Sequence, residues 1–497
     1  MRTSMLCGPI LLLAAFVAVG NSAAYPGKAQ KPNIVFVVAD DLGWNDIGYN
    51  NDDIFSPTLD SLAREGVILN QSYVQEVCSP TRGALMTGYY PYRLGLQHKS
   101  FHSVYPSGLP LNYTLLPQKL KEQGYSTYIV GKWHLGFCNY NYTPNARGFD
   151  RFYGYYNADE GYYNHSVGGY LDLREDLTPD WSKNGTYSTD IFTNKAIHYL
   201  ATHNKSKPFY LYLPYQSVHG PIAVPKKYYD MYPFIHDQSR RIKSGMVTAM
   251  DDTVKALVQA LQDFGYWDNT LFIFTTDNGG PSKPQNGGNN WPLRGTKATL
   301  WEGGTRGVAF IYGSILQKTG YVNNEMIHVV DWYPTLLELV GGKQDSDMDG
   351  INVWNTLVKG DPSPRKEFVY NIDEVEPSGA AIRMGDYKLI LGYAGAHGGW
   401  IPPPGVNGLW QEIVPMDDYE VEPGVCADPT NSTYLFNLKD DPTEHFNLAD
   451  KMPGKVQEMT ARLEELKKKL VPAIQVPKEP KKADPRKFGG VWSPGWC

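Results

Sequence analysis

The chain has 497 residues, a formal net charge of −6 and 42% hydrophobic residues. That length allows a large core and two or three domains. The near-neutral, slightly acidic balance gives no basis for a nucleic-acid partner. Five cysteines are too few for a dense disulfide framework, and a core of this size does not need one.

The N-terminus carries one charge at Arg2, an apolar run over Ile10–Val19 and the small residues Ser22-Ala23-Ala24. This reads as a cleaved signal peptide over residues 1–24. The run is short for a bilayer span, and a retained anchor is the alternative. No later stretch approaches membrane-spanning length, so no stable membrane span is expected. The expected compartment is the secretory pathway, with a lysosomal or secreted destination. Sequons at Asn112, Asn141, Asn164, Asn184, Asn204 and Asn431 fit that route. A seventh, Asn70, falls in a predicted strand where a glycan would fit poorly. With Cys7 removed and Cys78 set aside, Cys138, Cys426 and Cys497 remain. At most one internal disulfide can then form.

Asn33–Ala39 is a continuous apolar, β-branched run, the pattern of a strand buried on both faces. A helix over Pro57–Glu65 and a strand over Val67–Val74 follow. Next come a helix over Leu115–Gln123 and strands over Ser126–Val130, Phe209–Leu213 and Thr270–Thr275. Ile242, Met246, Ala249, Thr253, Leu257 and Leu261 recur at steps of three and four, which predicts an amphipathic helix. Alternating strands and helices imply an α/β fold with a central sheet covered by helices. Near Asp361-Pro362-Ser363-Pro364 the character changes. We expect a catalytic domain over residues 25–360 and a C-terminal subdomain over 361–497. The subdomain has strands in Phe368–Ile372, Ala381–Leu391 and Tyr434–Leu438, and a helix over about Pro453–Leu470. The basic tail Lys478–Lys487 reads as a solvated strap over the surface, with contact to a membrane or polyanion as the alternative.

Chemistry-bearing motifs follow the predicted strands. Asp40-Asp41 come directly after the first, and Thr276-Asp277-Asn278-Gly279-Gly280 after another. Ligand sites in open α/β sheets collect at such carboxyl ends. Two carboxylates from one strand end, with a carboxylate and an amide from the other, make an all-oxygen set for a hard cation such as Ca²⁺. Tight turns or helix caps are the plain alternatives. In Gly131-Lys132-Trp133-His134, Lys132 and His134 would share one side of an extended backbone. His219 follows the Phe209–Leu213 strand and is a candidate proton donor. Lys297 adds a further cation. Cys78-Ser79-Pro80-Thr81-Arg82 leads into Thr87-Gly88, a C-x-P-x-R-x4-T-G string. Pro80 suits a first helical turn, Arg82 folds back toward Cys78, and Thr87-Gly88 ends the helix. A buried or disulfide-bonded cysteine before a helix is the alternative reading. Aromatic loops over Tyr155–Tyr163 and Ala394–Pro404 could stack on sugar rings, or simply turn the chain.

Taken in order, the Ala39–Asp46 segment, the Cys78 string, Gly-Lys-Trp-His-Leu-Gly, Gln-Ser-Val-His, Thr-Asp-Asn-Gly-Gly, Asn-Asn-Trp-Pro-Leu-Arg-Gly and Leu-Trp-Glu-Gly-Gly resemble the type I, formylglycine-dependent sulfatases. Within them the likeness is to the animal arylsulfatase B (N-acetylgalactosamine-4-sulfatase) branch. It runs strongly from about Pro32 to Asp349 and more loosely through Leu435–Leu448 to the end. The resemblance implies an alkaline-phosphatase-like α/β fold, a large sheet between helices with a smaller C-terminal α+β part. It implies conversion of Cys78 to formylglycine by the formylglycine-generating enzyme, and one Ca²⁺ held by Asp40, Asp41, Asp277, Asn278 and modified Cys78. Arg82 and Lys132 would support formylglycine and bind sulfate. His134 would activate its diol, and His219 and Lys297 would contact the sulfate ester. The implied substrate is a sulfated sugar such as N-acetylgalactosamine 4-sulfate, or a small ester such as a plant glucosinolate. A phosphoester or phosphonate hydrolase on the same fold, and an inactive carbohydrate-binding homologue, are the competing readings. The branch implies more disulfides than these cysteines permit, and no pairing is assigned.

Overall fold

The computed structural model describes residues 31–282, 284–396, 398–404 and 432–497. The expected signal peptide over residues 1–24, Cys426 and the Asn431 sequon lie outside them. A ten-stranded sheet organises the chain. From edge to edge its strands are Tyr321–Asn323, Val67–Leu69, Ala309–Tyr312, Thr270–Thr276, Asn33–Ala39, Phe209–Pro214, Ser126–Lys132, Arg151–Tyr155, Arg174–Glu175 and Thr178–Pro179. The five from Thr270–Thr276 to Arg151–Tyr155 are parallel. Their carboxyl ends therefore share one edge of the sheet.

Asn33–Ala39 shows why a continuous apolar run is needed. Ile34, Phe36 and Val38 enter the core on one face, with the Cys78–Thr87 and Trp332–Leu339 helices. Val35, Val37 and Ala39 enter the core on the other, with the Ser188–Ala201 and Gln238–Asp263 helices. A strand covered by helices on both sides has no polar face to offer.

A second sheet of four antiparallel strands comprises Glu367–Asp373, Gly379–Met384, Tyr387–Gly392 and Thr433–Asn437. The helix Pro453–Lys467 packs on it. The Ala381–Leu391 strand region is a hairpin, broken at Gly385 with φ 56°. The Val67–Val74 strand is also divided. Asn70 and Gln71 turn the backbone, and Ser72–Tyr73 leaves to pair with Ile327–His328. The turn sends Tyr73 against Phe368 of the second sheet. Asn70 donates its amide to Asn324 and is only half-buried. Asn112, Asn141, Asn164, Asn184 and Asn204 are all exposed.

The basic residues of Lys478–Lys487 are exposed on a strap over the surface, as expected, and the segments on either side anchor it. Ile474 N–H bonds Gly95 and Glu479 N–H bonds Val104. Val491, Trp492 and Trp496 are buried, and Cys497 closes a disulfide with Cys138 across 359 residues. Apolar side chains and unpaired backbone groups outweigh the basic composition, which stays on the outward side. The aromatic loop after Arg151–Tyr155 also departs from expectation. Tyr155, Tyr156 and Tyr162 are buried, with Tyr156 stacked on Phe137 and Phe152. Large rings gain more from removal to the core than from standing in water, so these are not sugar platforms.

The two sheets are joined by a buried ion network. Lys388 Nζ lies 3.0 Å from Glu302 and 2.7 Å from Glu444, all three fully buried or nearly so. Tyr73 and Tyr370 donate to the Glu302 carboxylate at 2.9 Å. Burial pushes Glu444 up to about 7 against the pull of Lys388, while Lys388 and nearby arginines hold Glu302 low despite its burial. Removing one partner of such a network strands a buried charge. Lys388→Ala should lower unfolding free energy by about 3–5 kcal/mol. Urea unfolding followed by fluorescence checks this, and a loss well under 1 kcal/mol would refute the joint role.

Candidate active site

The Asn33–Ala39 strand delivers Asp40 and Asp41 to the carboxyl edge of the sheet. Asp40 N–H bonds Ser217 O at 2.8 Å, and Asp277 N–H bonds Ala39 O at 3.1 Å. Asp41 then turns into the left-handed region, φ 61°. Its N–H donates to Asp277 Oδ1 at 3.2 Å. Two neighbouring strand ends thus place three carboxylates side by side.

Cys78 opens a helix that ends at Gly88, φ 75°. Its Sγ is buried, 3.7 Å from Asp40 Oδ1 and 3.4 Å from Lys297 Nζ. One turn along, Arg82 donates through Nε and Nη2 to Asp277 Oδ2 at 3.2 and 2.8 Å, and lies 3.5 Å from Asp40. Lys132 Nζ stands 2.6 Å from Asp40 Oδ2, and Lys297 Nζ 2.6 Å from Asp41 Oδ1. His219 Nε2 is 3.5 Å from Asp41 Oδ2. Asp40, Asp41, Cys78 and His219 offer donor atoms that all lie within 4.8 Å of one another.

His134 reaches this neighbourhood by a route other than the extended one. Its backbone is left-handed, φ 54°, so the same-side argument from Lys132 does not apply. The ring is buried, with Nε2 2.8 Å from Phe101 O and Nδ1 unpartnered among the described residues. Burial, then the nearby Lys132, holds it far below the usual imidazole range.

Side-chain exposure separates the interior of this cluster from its mouth. Lys132 and Asp40 are fully enclosed, whereas His219 and Lys297 keep 17% and 19% exposure. An entering ester meets His219 and Lys297 first. Burial alone would raise Asp40 and Asp41. Lys132, His219 and Arg82 overcome it at Asp40, and Lys297, His219 and Lys243 at Asp41, so both sit below the usual carboxylate range. Asp277 is raised, by burial and then by Asp40, despite its bond to Arg82.

The residues fit a hard divalent cation. Asn278 Oδ1 is buried with no hydrogen-bond partner among the described residues, while its Nδ2 donates to Asp41 Oδ1 at 2.7 Å. A buried carbonyl left unsatisfied costs about 1–3 kcal/mol. A cation beside Asp40, Asp41 and Asp277 would satisfy it, and oxygen donors of this kind suit Ca²⁺.

Sequence reasoning missed Lys243. Buried on the Gln238–Asp263 helix, its Nζ donates to Asp41 O at 3.0 Å and Val218 O at 2.7 Å. It ties the left-handed Asp41 to the loop carrying His219. The available signal was a lysine heading the stripe Val247, Met250, Val254 and Leu257, on an otherwise apolar face. The two asparagines before Trp291 are braces. Asn290 Oδ1 accepts Gly280 N–H at 2.8 Å, and Asn289 N–H bonds Asp46 Oδ1 at 3.1 Å. The backbones there nearly touch: a Cβ on Gly279 would lie 1.8 Å from Gly303 O, so only glycine fits.

Comparison with known proteins gives the family. The sulfatase family model matches residues 32–342. Arylsulfatase J of Mus musculus is 39% identical, with 97% of this chain and 83% of that protein aligned. N-acetylgalactosamine-6-sulfatase of Mus musculus is 31% identical, with 93% and 90% aligned. Among solved structures, Ps i-CgsB in complex with k-i-k-neocarrahexaose superposes with a TM-score of 0.77 at 28% identity, over 93% of this chain and 98% of that one. A large mixed sheet between helices, with its charged cluster at the strand ends and a small antiparallel sheet beside it, is here the alkaline-phosphatase-like fold of a sulfuric ester hydrolase, and the chain belongs to the sulfatase family.

Proposed function

We propose that the protein hydrolyses a sulfate monoester to an alcohol and sulfate, with formylglycine derived from Cys78 as nucleophile and one Ca²⁺ at the adjoining carboxylates. The observation that carries this is the placement of Cys78 Sγ, 3.4 Å from Lys297 and 3.7 Å from Asp40, at the N-terminal end of a helix. Burial and then Asp277 push the unmodified thiol up to about 12, which makes it a poor nucleophile. The hydrated aldehyde would supply a nucleophilic oxygen and a second hydroxyl for sulfate release, and Ca²⁺ held by Asp40, Asp41, Asp277 and Asn278 would supply positive charge there.

The chain's own groups do the rest. Asp40, Asp41, Asp277 and Asn278 hold the cation. Lys132 and Lys297 turn their ammonium groups to the sulfate oxygens as charge develops on the leaving oxygen. Arg82 locks Asp277 and supports residue 78. His219, half-open at the mouth, delivers a proton to the leaving alcohol. His134, kept neutral, offers Nδ1 to the residue 78 hydroxyls. The substrate is a sulfated sugar such as N-acetylgalactosamine 4-sulfate, as an arylsulfatase B-like enzyme would take, or another small ester such as a glucosinolate. The protein reaches a lysosomal or secreted destination after loss of residues 1–24. Its exposed sequons carry glycans, and formylglycine-generating enzyme is its maturation partner.

Protein from a host with that enzyme should cleave an aryl sulfate and be far slower on the matched aryl phosphate. Its tryptic Cys78 peptide should be about 18 Da lighter than the thiol form, the difference between thiol and aldehyde. Cys78→Ala should lose activity by about 10³-fold or more. An alanine variant as active as the parent refutes the nucleophile.

EGTA should lower the melting temperature, and Ca²⁺ at a hundred times its Kd should restore about 2.7 kcal/mol of stability. Asp277→Asn should weaken that response. A melting curve indifferent to chelator would remove calcium from the proposal.

Lys243→Met should cut kcat by roughly 10- to 100-fold, from lost charged hydrogen bonds to the Asp41 and Val218 carbonyls. KM for the aryl sulfate should move much less, since Lys243 faces backbone and not the mouth. An unaltered kcat would mark it as a core filler.

A further inference from the structure

His219 stands on an irregular segment after the Phe209–Pro214 strand, with no helix or ladder to fix it. Hydrogen bonds hold the backbone around it instead. His219 N–H donates to Gln216 O at 2.8 Å, which closes a turn. Lys243 holds the preceding carbonyl, that of Val218, at 2.7 Å. The His219 carbonyl accepts from the Tyr162 hydroxyl at 3.0 Å, and the same hydroxyl lies 3.1 Å from Gln216 O. One phenol thus bridges the first and last carbonyls of the turn that presents His219. The imidazole follows this backbone. Its Nδ1 faces Gly220 O at 2.5 Å, which leaves Nε2 to face Asp41 Oδ2 at 3.5 Å.

Tyr162 is itself locked in place. It is buried, and its ring stacks on Tyr187 at 5.3 Å. Ser188 N–H donates to its carbonyl at 2.8 Å. The chain closes on itself beside it, with Gly161 N–H on Ser166 O at 3.0 Å and His165 N–H on Gly161 O at 2.9 Å. Glu160 and His165, both out of water, pair across this loop at 3.3 Å. Gln216 ties the loop to the turn: its amide donates to Glu160 O, and its side-chain oxygen accepts from Ser188 Oγ at 3.0 Å. Burial, then Tyr187 and Asp40, push the Tyr162 phenol well above its usual range, so it remains an O–H donor.

We propose that Tyr162 is a positioning residue for the proton donor: its hydroxyl holds the Gln216–His219 turn so that His219 meets the leaving oxygen. The inference rests on the reading of His219 above and deepens it. Tyr162 acts only through His219, so its effect scales with the leaving group's need for a proton. A small displacement of a reacting group costs rate out of proportion to the bond lost.

The test uses the mature full-length protein and kcat/KM on a series of aryl sulfates, from 4-nitrophenyl through phenyl to 4-methoxyphenyl sulfate. 4-Nitrophenolate leaves readily as the anion, whereas the more basic 4-methoxyphenolate gains more from protonation. Tyr162→Phe keeps the ring and its stack. It should cut kcat/KM about tenfold or more on 4-methoxyphenyl sulfate and about twofold at most on 4-nitrophenyl sulfate. His219→Ala should steepen the series further. Adding Tyr162→Phe to His219→Ala should then change nothing more, because the two residues act as one unit. Gln216→Met unties the same turn from Glu160 and Ser188 and should steepen the series too, which reads the role a second way should Tyr162→Phe fold poorly. Tyr187→Phe frees Ala223 O farther along the segment and should keep the parent's slope. A uniform loss across the series, an equal steepening in Tyr187→Phe, or an undiminished Tyr162→Phe loss in the His219→Ala background overturns the positioning role alone. A flat series in His219→Ala overturns the proton-donor reading, and this inference with it.

Discussion

Everything at this centre depends on holding three carboxylates ionisable and out of water. An isolated buried ion costs several kcal/mol, and only close opposite charge with good geometry offsets that. Asp40 has Lys132 at 2.6 Å, Asp41 has Lys297 at 2.6 Å and Asp277 has Arg82 at 2.8 Å. Each acid has its own base, and Lys243 adds a further cation beside Asp41. A divalent cation added among the carboxylates leaves the cluster with surplus positive charge. That surplus is what a sulfate monoester and the charge developing on its leaving oxygen can use.

Such a cluster needs backbone geometry that ordinary strands do not provide. Asp41 and His134 both occupy the left-handed region, at a cost of order 1–3 kcal/mol each for non-glycine residues. The surrounding bonds hold them there. Lys243 grips the Asp41 carbonyl, and Asp277 accepts its N–H. His134 is tied through Nε2 to Phe101, and its carbonyl accepts from Ser79 at 2.9 Å. Ala298, next to Lys297, is left-handed as well, φ 67°.

This explains which parts were legible in the sequence. Strands such as Asn33–Ala39 and Thr270–Thr276 announce themselves because burial on both faces demands unbroken apolar residues. Asp40, Asp41, Asp277 and Asn278 are legible as strand-end residues for the same reason. Lys243 was not, because its partners are backbone carbonyls more than twenty residues away in sequence, and a carbonyl leaves no trace in the residue pattern. The split at Asn70–Gln71 was hidden because Val67–Leu69 and Ser72–Tyr73 both have strand composition, and only the pull of Tyr73 toward Phe368 and Glu302 separates them. The basic stretch Lys478–Lys487 was legible as a surface strap, but the anchor after it was not. Its anchoring residues, Val491, Trp492, Trp496 and Cys497, follow the basic stretch.

The architecture also joins two parts of the chain. The groups around Cys78 come from strand ends and loops within residues 40–297, and they lean on one another through charge. A cavity next to Val77 and Ala298 draws Asn371 and Asp373 from the second sheet. The two halves meet through many polar links, among them Asn371 with Glu76 and Gln97, Arg365 with Asp331, and Lys388 with Glu302. A change at Lys132 or Arg82 unbalances a buried acid and is felt by every substrate alike. The centre at the strand ends is held by its own electrostatics.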